Sequence, residues 1–436
     1  MSTSFRVGIA GLGTVGASVV RLLVRQDAAL QARTGRKIVV TGVSARDPGR
    51  DRGVDLSGAR WFDDPVALAA SPDIDVFVEL MGGDEGAARK AVETALASGK
   101  SVVTANKALL AKHGMALARL AEEKRAALAF EASVAGGIPI VKTLREGLAG
   151  NQISRVYGIL NGTCNYILSR MEREGLSFEA CLADAQRLGY AEADPTFDID
   201  GFDTAHKLAI LTSLAFGVEV DAEAIHIEGV RAITLDDLRS ADELGYRIKL
   251  LGVAQRTADG IEQRVHPTMV PKSSAIAQVM GVTNAVTIDA DAVKELTLVG
   301  PGAGGDATAS AVVADIADVA RGIRSAPFGL PTATLETAAR RAMQRHEGGY
   351  YIRLAVHDRP GAAANIAMRM AERNISLESI MQKSPGRGAS GASGQPVQVV
   401  LLTYATTEAN IREALEAAVG DGYIAEKPQV IRIERE

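Results

Sequence analysis

The segment Gly11-Leu12-Gly13-Thr14-Val15-Gly16 decides how the first part of this chain folds. It follows an apolar run, Phe5–Ala10, and opens a stretch with helical periodicity, Thr14–Arg25. In such a segment the first glycine permits a tight turn, the second lets the backbone approach a pyrophosphate, and the third allows close helix–strand packing. Free N–H groups at the start of the helix attract phosphate. The segment therefore predicts a dinucleotide-binding βαβ unit.

Strand and helix patterns alternate around this segment through the first 135 residues. The strand runs are apolar throughout, which is typical of a parallel sheet covered by helices on both faces. Residues 1–135 are therefore predicted to form a Rossmann-like, NAD(P)-binding α/β domain. Its further strands are expected at Lys37–Val43, Asp75–Leu80, Ser101–Thr104 and Ala127–Glu131, and its further helices at Glu85–Ser98 and Lys107–Lys124.

From residue 136 the pattern becomes α+β, and residues 136–299 are predicted to form a separate α+β domain. A glycine-rich turn, Gly300–Gly305, precedes a helix, Ala307–Arg321, which we expect to complete the first domain. In 136–299, strands are predicted at Ser154–Leu160, Gly252–Ala254, Gly260–Pro267, Ala285–Ala290 and Val293–Val299, and helices at Asn165–Glu174, Phe178–Leu188 and Asp203–Phe216.

The end of the chain has a pattern of its own. Residues 326–347 are predicted to be a linker with one short helix, and 348–436 a βαββαβ, ferredoxin-like module. A Gly/Ser loop at 386–395 is longer than such a module needs. The module's strands are expected at Tyr350–Val356, Ile375–Gln382, Val397–Tyr404 and Val430–Ile433, and its helices at Ala362–Arg373 and Glu408–Val419.

Composition excludes several classes of function. The 436 residues carry 48 Lys+Arg against 53 Asp+Glu, a net charge of −5, which argues against nucleic-acid binding through bulk positive charge. Two cysteines, Cys164 and Cys181, cannot form a disulfide framework. The first residues lack a signal-peptide pattern, and no long uncharged apolar stretch predicts a membrane span. We therefore expect a cytoplasmic protein that acts on a small molecule.

The second predicted strand ends in Val43-Ser44-Ala45-Arg46, with Asp47 after it. An NAD site usually has Asp or Glu at this tip to bind the ribose hydroxyls, whereas an arginine accommodates the 2′-phosphate of NADP. Arg46 therefore favours NADP. The alternative, that Arg46 is only solvated and NAD is used, stays open at this point.

An acidic segment, GYAEADPTFDIDGFDTAHK at 189–207, places five carboxylates and one lysine within nineteen residues. Asp203 and Lys207 are four residues apart, on one face of a predicted helix. An exposed salt bridge is the simpler interpretation. The helix continues with apolar residues nearly all round, however, which indicates burial. A buried lysine is rare without a partner or a role, so the pair indicates a catalytic site.

Three further features are candidates for the site. Lys107 follows the fourth predicted strand at its carboxyl end, where ligands bind in such sheets, although it could be an ordinary first-turn lysine. The polar turn Asn161–Asn165 suits a polar ligand or a helix cap. Cys164 could be the nucleophile of an acylating enzyme, but no histidine base is near in sequence. The six histidines show no metal-ligand spacing.

These residues carry a family resemblance. The string Ala185–Lys207, with Gly189, Asp194-Pro195, Asp198, Gly201 and Asp203, resembles the signature of the homoserine dehydrogenases. The resemblance extends over about residues 5–325, and the tail resembles an ACT domain, with the turn DRPG at 358–361. The supporting motifs are TANK at 104–107, EASVAGGIPI at 131–140, NGTCNYIL at 161–168, GYRIKLLG at 245–252, HPTMVPKS at 266–273 and GPGAGGDATAS at 300–310.

The resemblance implies reversible, NAD(P)H-dependent reduction of aspartate 4-semialdehyde to homoserine, in threonine, methionine and isoleucine biosynthesis. It makes Lys207 the proton donor and acceptor at the substrate oxygen. Glu192 and Asp203 would hold the amino acid, with Gly189 beside them and Asp198 in support. Lys107 would reach toward substrate and cofactor, and Gly302 would join the glycine loop at the cofactor. Two converging lysines are expected to lower each other's pKa toward about 7–9 by repulsion.

The resemblance also implies a monovalent cation, Na⁺ or K⁺, between the domains. Its ligands would be Glu131 and the carbonyl groups of Val134, Gly136 and Ile138, although a plain glycine hinge explains the same residues.

The resemblance makes 136–299 the substrate-binding, catalytic and dimerisation domain. It also implies a homodimer or homotetramer, with threonine as a feedback effector of the ACT domain. Two alternatives remain: an acylating semialdehyde dehydrogenase that uses Cys164, and a non-catalytic sensor of NADP and amino acid. The ACT module could also serve dimerisation alone.

Overall fold

The computed structural model describes residues 4–339, 341–383 and 396–434. The expected Gly/Ser loop at 386–395 lies outside these residues. Among the described residues, none of the helices is both long and apolar enough to cross a membrane.

The first sheet is parallel and doubly wound, as the apolar strand runs predict. Its strands lie in the order β3-β2-β1-β4-β5-β6, so the order reverses between β1 and β4. Ligands bind at the carboxyl ends of strands at such a reversal. The elements are β1 Phe5–Ala10, α1 Thr14–Arg25, α2 Asp27–Thr34, β2 Ile38–Ser44, β3 Arg60–Trp61, α3 Pro65–Ala70, β4 Val76–Glu79, α4 Ala87–Ala97, β5 Ser101–Thr104, α5 Lys107–Glu123 and β6 Leu128–Ala129.

The second part of the chain forms a largely antiparallel sheet covered by helices on one face. Here β9 and β10 are much longer than the sequence patterns indicate. The elements are α6 Ile140–Lys142, β7 Ile153–Ile159, α7 Gly162–Glu174, α8 Phe178–Arg187, α9 Thr196–Ile199, α10 Phe202–Phe216, β8 His226–Ile227, α11 Leu235–Glu243, β9 Tyr246–Thr257, β10 Gly260–Pro271, β11 Thr283–Ala290 and β12 Lys294–Pro301.

The helix after the glycine-rich turn, α12 (Gly305–Ala320), packs on the first sheet rather than the second. Its buried residues Val312 and Ile316 share one apolar cluster with Val19 and Leu23 of α1. This return of the chain brings Gly305 against Thr14 and Ser18 of α1, where a Cβ on Gly305 would lie 2.7 Å from Ser18 Oγ.

The C-terminal module has the predicted βαββαβ order, with a short extra strand. Its sheet is continuous with the second one, because β17 pairs in parallel with β10 at Thr268↔Arg432 and Met269↔Ile433. The combined strand order is β12-β11-β7-β9-β10-β17-β13-β15-β14. The elements are β13 Glu347–Val356, α13 Ala362–Glu372, β14 Leu377–Lys383, β15 Val397–Thr403, β16 Thr406–Thr407, α14 Glu408–Gly420 and β17 Gln429–Ile433.

The short helix predicted within 326–347 is wrong for the described part of that segment, which contains only 3₁₀ turns, Thr332–Thr334 and Met343–Arg345. Between the two turns, backbone groups of Glu336, Ala339 and Arg341 bond to other elements. Ile261 donates its N–H to Ala339 O at 3.0 Å, and Arg341 donates its N–H to Ile261 O at 3.1 Å. Tertiary pairing thus overrides the helical pattern.

Candidate active site

The glycine loop has the geometry that a bound pyrophosphate requires. Gly11 has a φ of 99°. A Cβ at this position would lie 2.4 Å from Leu80 O, whereas one at Gly13 would meet nothing within 4 Å. Helix α1 begins without a side-chain cap and without an acidic residue in its first turn. Its N-terminal N–H groups are therefore available for an anion, and the residues present fit a dinucleotide.

Two arginines lie beside this loop. Arg46 is exposed just past the tip of β2, while Ser44 is buried there and accepts the Gly11 N–H at 2.8 Å. Arg52, which the sequence analysis missed, donates Nε to Leu12 O at 3.2 Å and stacks over the Trp61 ring at 5.5 Å. Arg52 lies in an irregular segment without a periodic pattern, so no local signal could have identified it.

The predicted lysines converge on one buried carboxylate. Asp203 Oδ2 lies 2.7 Å from Lys207 Nζ, and Asp203 Oδ1 lies 3.0 Å from Lys107 Nζ. Asn161 Nδ2 donates to both Asp203 Oδ2 and Asp198 Oδ1, each at 2.9 Å. Lys207 Nζ also donates to Leu160 O at 2.7 Å. Asn161 was predicted only as part of a polar turn, yet it orders both carboxylates.

The fold explains why these residues meet. Helix α10 follows Gly201, whose φ is 93°, and is buried nearly all round, so Asp203 and Lys207 lie one above the other on an interior face. Helix α5 starts at Lys107, directly after the carboxyl end of β5, with Asn106 capping it through the Leu109 N–H at 3.1 Å. The site therefore lies where the first sheet meets α10.

Charge balance sets the protonation of the cluster. Asp203, despite the opposing effect of burial, has a pKa well below its ordinary value because Lys207 and Lys107 stabilise the carboxylate. The charge of Asp203 raises the pKa of Lys107. The expectation that the lysines lower each other's pKa is therefore wrong at Lys107, because a carboxylate lies between the two ammonium groups. Burial and the charge of Asp203 raise the pKa of Asp198.

Glu192 and Gly189 lie on the exposed segment after α8, at the mouth of this cluster. In the described structure their hydrogen bonds do not reach Asp203: the Glu192 carbonyl accepts from Gln186 Nε2 at 3.0 Å, and its carboxylate contributes to the field at Lys107. Thr163 Oγ1, from the polar turn, joins this segment to the site by donating to Tyr190 O at 2.8 Å.

Cys164 is fully buried inside α7, with Sγ 3.3 Å from Asp198 O. Burial and the nearby carboxylates raise the pKa of its thiol well above the ordinary value. A thiol in this position is neither ionised nor reachable by substrate, so the nucleophile hypothesis for Cys164 is wrong.

The predicted cation ligands follow β6, the last strand of the first sheet, in the chain. The Glu131 carboxylate accepts the N–H groups of Val141 and Lys142, both at 2.8 Å, and burial followed by the charge of Asp315 raises its pKa to about 7. Val134 and Ile138 are buried. Gly136 packs against the Gly302 peptide, where a Cβ would lie 2.5 Å from the Gly302 carbonyl oxygen. Gly302 thus lies against the hinge.

Comparisons with known proteins give a match in each of the three parts of the chain. The family model described as homoserine dehydrogenase matches residues 139–317, that of its NAD binding domain matches 11–131, and that of the ACT domain matches 350–420. The chain is 44% identical to a homoserine dehydrogenase of Neisseria gonorrhoeae over 98% of both proteins. It is 46% identical to one of Pseudomonas aeruginosa over 94% of both.

Solved structures show the same similarity. The crystal structure of a homoserine dehydrogenase from Thiobacillus denitrificans superposes with a TM-score of 0.93, at 42% identity over 99% of both chains. A hyperthermophilic archaeal homoserine dehydrogenase in complex with NADPH gives a TM-score of 0.62 at 27% identity, over 73% of this chain and 98% of that one.

Proposed function

The chain belongs to the homoserine dehydrogenase family, and from this premise we propose which of its residues carry out the reaction. The enzyme reduces aspartate 4-semialdehyde to homoserine, reversibly, with a nicotinamide cofactor. The cofactor, when bound, supplies the hydride to the carbonyl carbon. The protein must bind the amino acid, deliver a proton to the carbonyl oxygen and stabilise the charge that develops on it.

Lys207 delivers that proton. An ammonium group has three N–H donors. Among the described residues, Lys207 uses two of them, toward Leu160 O and Asp203. The third remains for the substrate oxygen, where it stabilises the developing alkoxide and then transfers its proton. In the reverse direction the neutral amine accepts the proton of the homoserine hydroxyl. This spare donor in a buried, otherwise satisfied lysine is the observation that supports the proposal best.

Asp203 holds both lysines in place, and Lys107 completes the positive field toward substrate and cofactor. Asp198, Glu192 and Gly189 form the side of the site that receives the amino acid, whose ammonium group suits carboxylate partners. We assign these roles to residues 136–299, and cofactor binding to residues 1–135 together with α12.

Asp203→Asn tests the arrangement, because it keeps the shape of the side chain and removes its charge. We expect kcat to fall about 10²-fold, since two neighbouring ammonium groups lose the charge that orders them. Steady-state oxidation of NADPH with aspartate 4-semialdehyde as substrate measures this kcat. Wild-type kcat in the Asp203→Asn enzyme would contradict the proposal.

The cofactor is proposed to be NADP, bound at Gly11–Gly16, near Gly302 and Lys107, with Arg46 on the 2′-phosphate. The absence of an acidic residue at the tip of β2 supports this choice, and NADPH is the ligand in the archaeal structure.

A monovalent cation, Na⁺ or K⁺, is proposed at Glu131, Val134, Gly136 and Ile138. Burial and the charge of Asp315 raise the pKa of the Glu131 carboxyl, so a positive charge there would be favourable in addition to that of Lys142, whose Nζ lies 3.0 Å from Asp315 Oδ1. Such an ion would fix the hinge and take no part in the proton transfer.

Regulation by threonine is proposed to act through the ACT domain. Its turn Asp358-Arg359-Pro360-Gly361 precedes α13, where the N–H groups of the helix start can receive the carboxylate of an amino acid. We propose a homodimer or homotetramer as the assembly that performs this regulation.

A further inference from the structure

A buried arginine of the C-terminal module reaches into the substrate domain. Arg432 lies on β17, at the point where this strand pairs with Thr268 of β10, and its side chain is 3% exposed. Its guanidinium donates to the two Glu228 oxygens at 2.8 and 2.9 Å, and to the two Glu408 oxygens at 3.0 and 2.8 Å. Only the planar fork of an arginine can hold two carboxylates in this way.

Glu228 belongs to a short segment that lies against the substrate site. Its own N–H is fixed to Val265 O at 2.7 Å, beside the pairing of β8 with β10. The next residues contact the turn before α10: Val230 donates its N–H to Ile199 O at 2.9 Å. A Cβ at Gly229 would lie 2.4 Å from Ile199 O, so the two backbones are in direct contact with no space between them.

That turn carries the carboxylates of the site. Asp198 precedes it and Asp203 follows it, on the first turn of α10. Arg231, from the same segment as Glu228, forms a further hydrogen bond to the turn: its Nε donates to Asp200 Oδ1 at 2.6 Å. Because backbone contacts in a packed interior transmit small shifts, we expect a displacement of Glu228, whose Oε1 also lies 2.7 Å from His226 Nε2, to shift the turn and with it Asp203.

We infer that Arg432 is a positioning residue for the reaction: by holding Glu228, it fixes the turn between Asp198 and Asp203, so the C-terminal module helps to set the geometry of the substrate site. The inference rests on the proposed roles of Asp203 and Lys207. It gives the module a part in the basal reaction in addition to regulation.

The test uses the full-length enzyme with Arg432→Met, Arg432→Lys and Glu228→Gln. Arg369→Met is the matched control, because Arg369 forms a bidentate pair with Asp421 inside the same module, at 2.7 and 2.8 Å. We expect Arg432→Met to lower kcat/KM for homoserine about 10-fold to 10²-fold, with the KM for NADP unchanged. Arg432→Lys should recover part of the loss, since an ammonium can still bond to a carboxylate, and Arg369→Met should keep wild-type values.

Glu228→Gln removes the charge and one of the two acceptors that Glu228 offers to Arg432, while Glu408 still pairs with the arginine. This variant therefore weakens the bridge without leaving an unpaired buried arginine and is the one more certain to fold. The double variant Glu228→Gln, Arg432→Met should be no slower than Arg432→Met alone, because both changes break one linkage. Wild-type kcat/KM in folded Arg432→Met and Glu228→Gln enzymes, or an equal loss in Arg369→Met, would overturn the inference. Wild-type kcat in the Asp203→Asn enzyme would instead overturn the proposed function on which the inference rests.

Discussion

Replacing Lys207 by methionine removes the proposed proton donor while it keeps the length of the side chain. The structure indicates that few other interactions are lost in this variant. Asp203 keeps Lys107 at 3.0 Å and Asn161 at 2.9 Å, so its charge stays compensated. Leu160 O loses a buried hydrogen bond, which costs about 1–3 kcal/mol of folding stability. The variant is therefore expected to fold, with a lower midpoint of thermal unfolding.

The loss in rate should be much larger than this loss in stability suggests. A missing general acid costs about 10²–10⁴-fold in kcat, which corresponds to about 3–5 kcal/mol of activation free energy. The KM for NADP should change little, because Lys207 belongs to the substrate domain and the glycine loop to the other. Initial rates of semialdehyde reduction and of homoserine oxidation, followed by the absorbance of the reduced cofactor, give kcat and the KM for the cofactor.

A second buried lysine provides the matched control. Lys249 lies on β9 of the same domain, and its Nζ donates to Asn165 Oδ1 at 2.9 Å and to Val279 O at 2.6 Å, away from Asp203. Lys249→Met should lose stability to a similar degree and keep most of its kcat. Equal losses of kcat in both variants would show that burial of a lysine, rather than proton transfer, explains the effect, and the assignment of Lys207 would be refuted.

Three further predictions follow from particular contacts. Arg46→Ala should raise the KM for NADPH more than that for NADH, and equal effects would show that Arg46 does not contact the 2′-phosphate. Gly361 has a φ of 90°, so Gly361→Val should weaken inhibition by threonine in the full-length enzyme. The control Gly420→Val, where a Cβ meets nothing within 4 Å, should leave inhibition unchanged. Unchanged inhibition in Gly361→Val would place the effector site elsewhere. Burial lowers the pKa of Lys249 to about 8, below its unfolded value of 10.5, so the unfolded chain binds more protons between these values. Stability should therefore rise with pH over that range by at most about 3 kcal/mol relative to Lys249→Met, as thermal unfolding of both proteins would show.

The parts of the molecule that sequence reasoning predicted depend on local patterns. The glycine loop and α1 follow from the spacing of three glycines after an apolar strand, and the pairing of Asp203 with Lys207 follows from helical geometry. What sequence reasoning missed depends on contacts between distant segments. The placement of a carboxylate between Lys107 and Lys207 reverses the expected direction of the Lys107 pKa shift, and it becomes visible only when α5 and α10 are side by side.

Residues 336–339 and 341 show the same limit for secondary structure. They have good helix propensity, yet backbone groups of Glu336, Ala339 and Arg341 pair with Gly217 and Ile261, more than 70 positions earlier. Propensity differences of a few tenths of a kcal/mol per residue are too small to decide against such pairing.

The pairing of β17 with β10 has a consequence for how the protein is made. During synthesis, the edge of β10 that will receive β17 emerges some 160 residues before its partner, so it is exposed on the nascent chain for most of the time that the C-terminal module is translated. An open strand edge can pair with other chains, and contacts between such distant residues form late. A chain that stops at residue 347 would keep this edge permanently open, with Glu228 deprived of Arg432. Shortened chains should therefore aggregate in cells. In the full-length chain, the pairing of β17 with β10 is expected to be the last step in the assembly of the substrate domain.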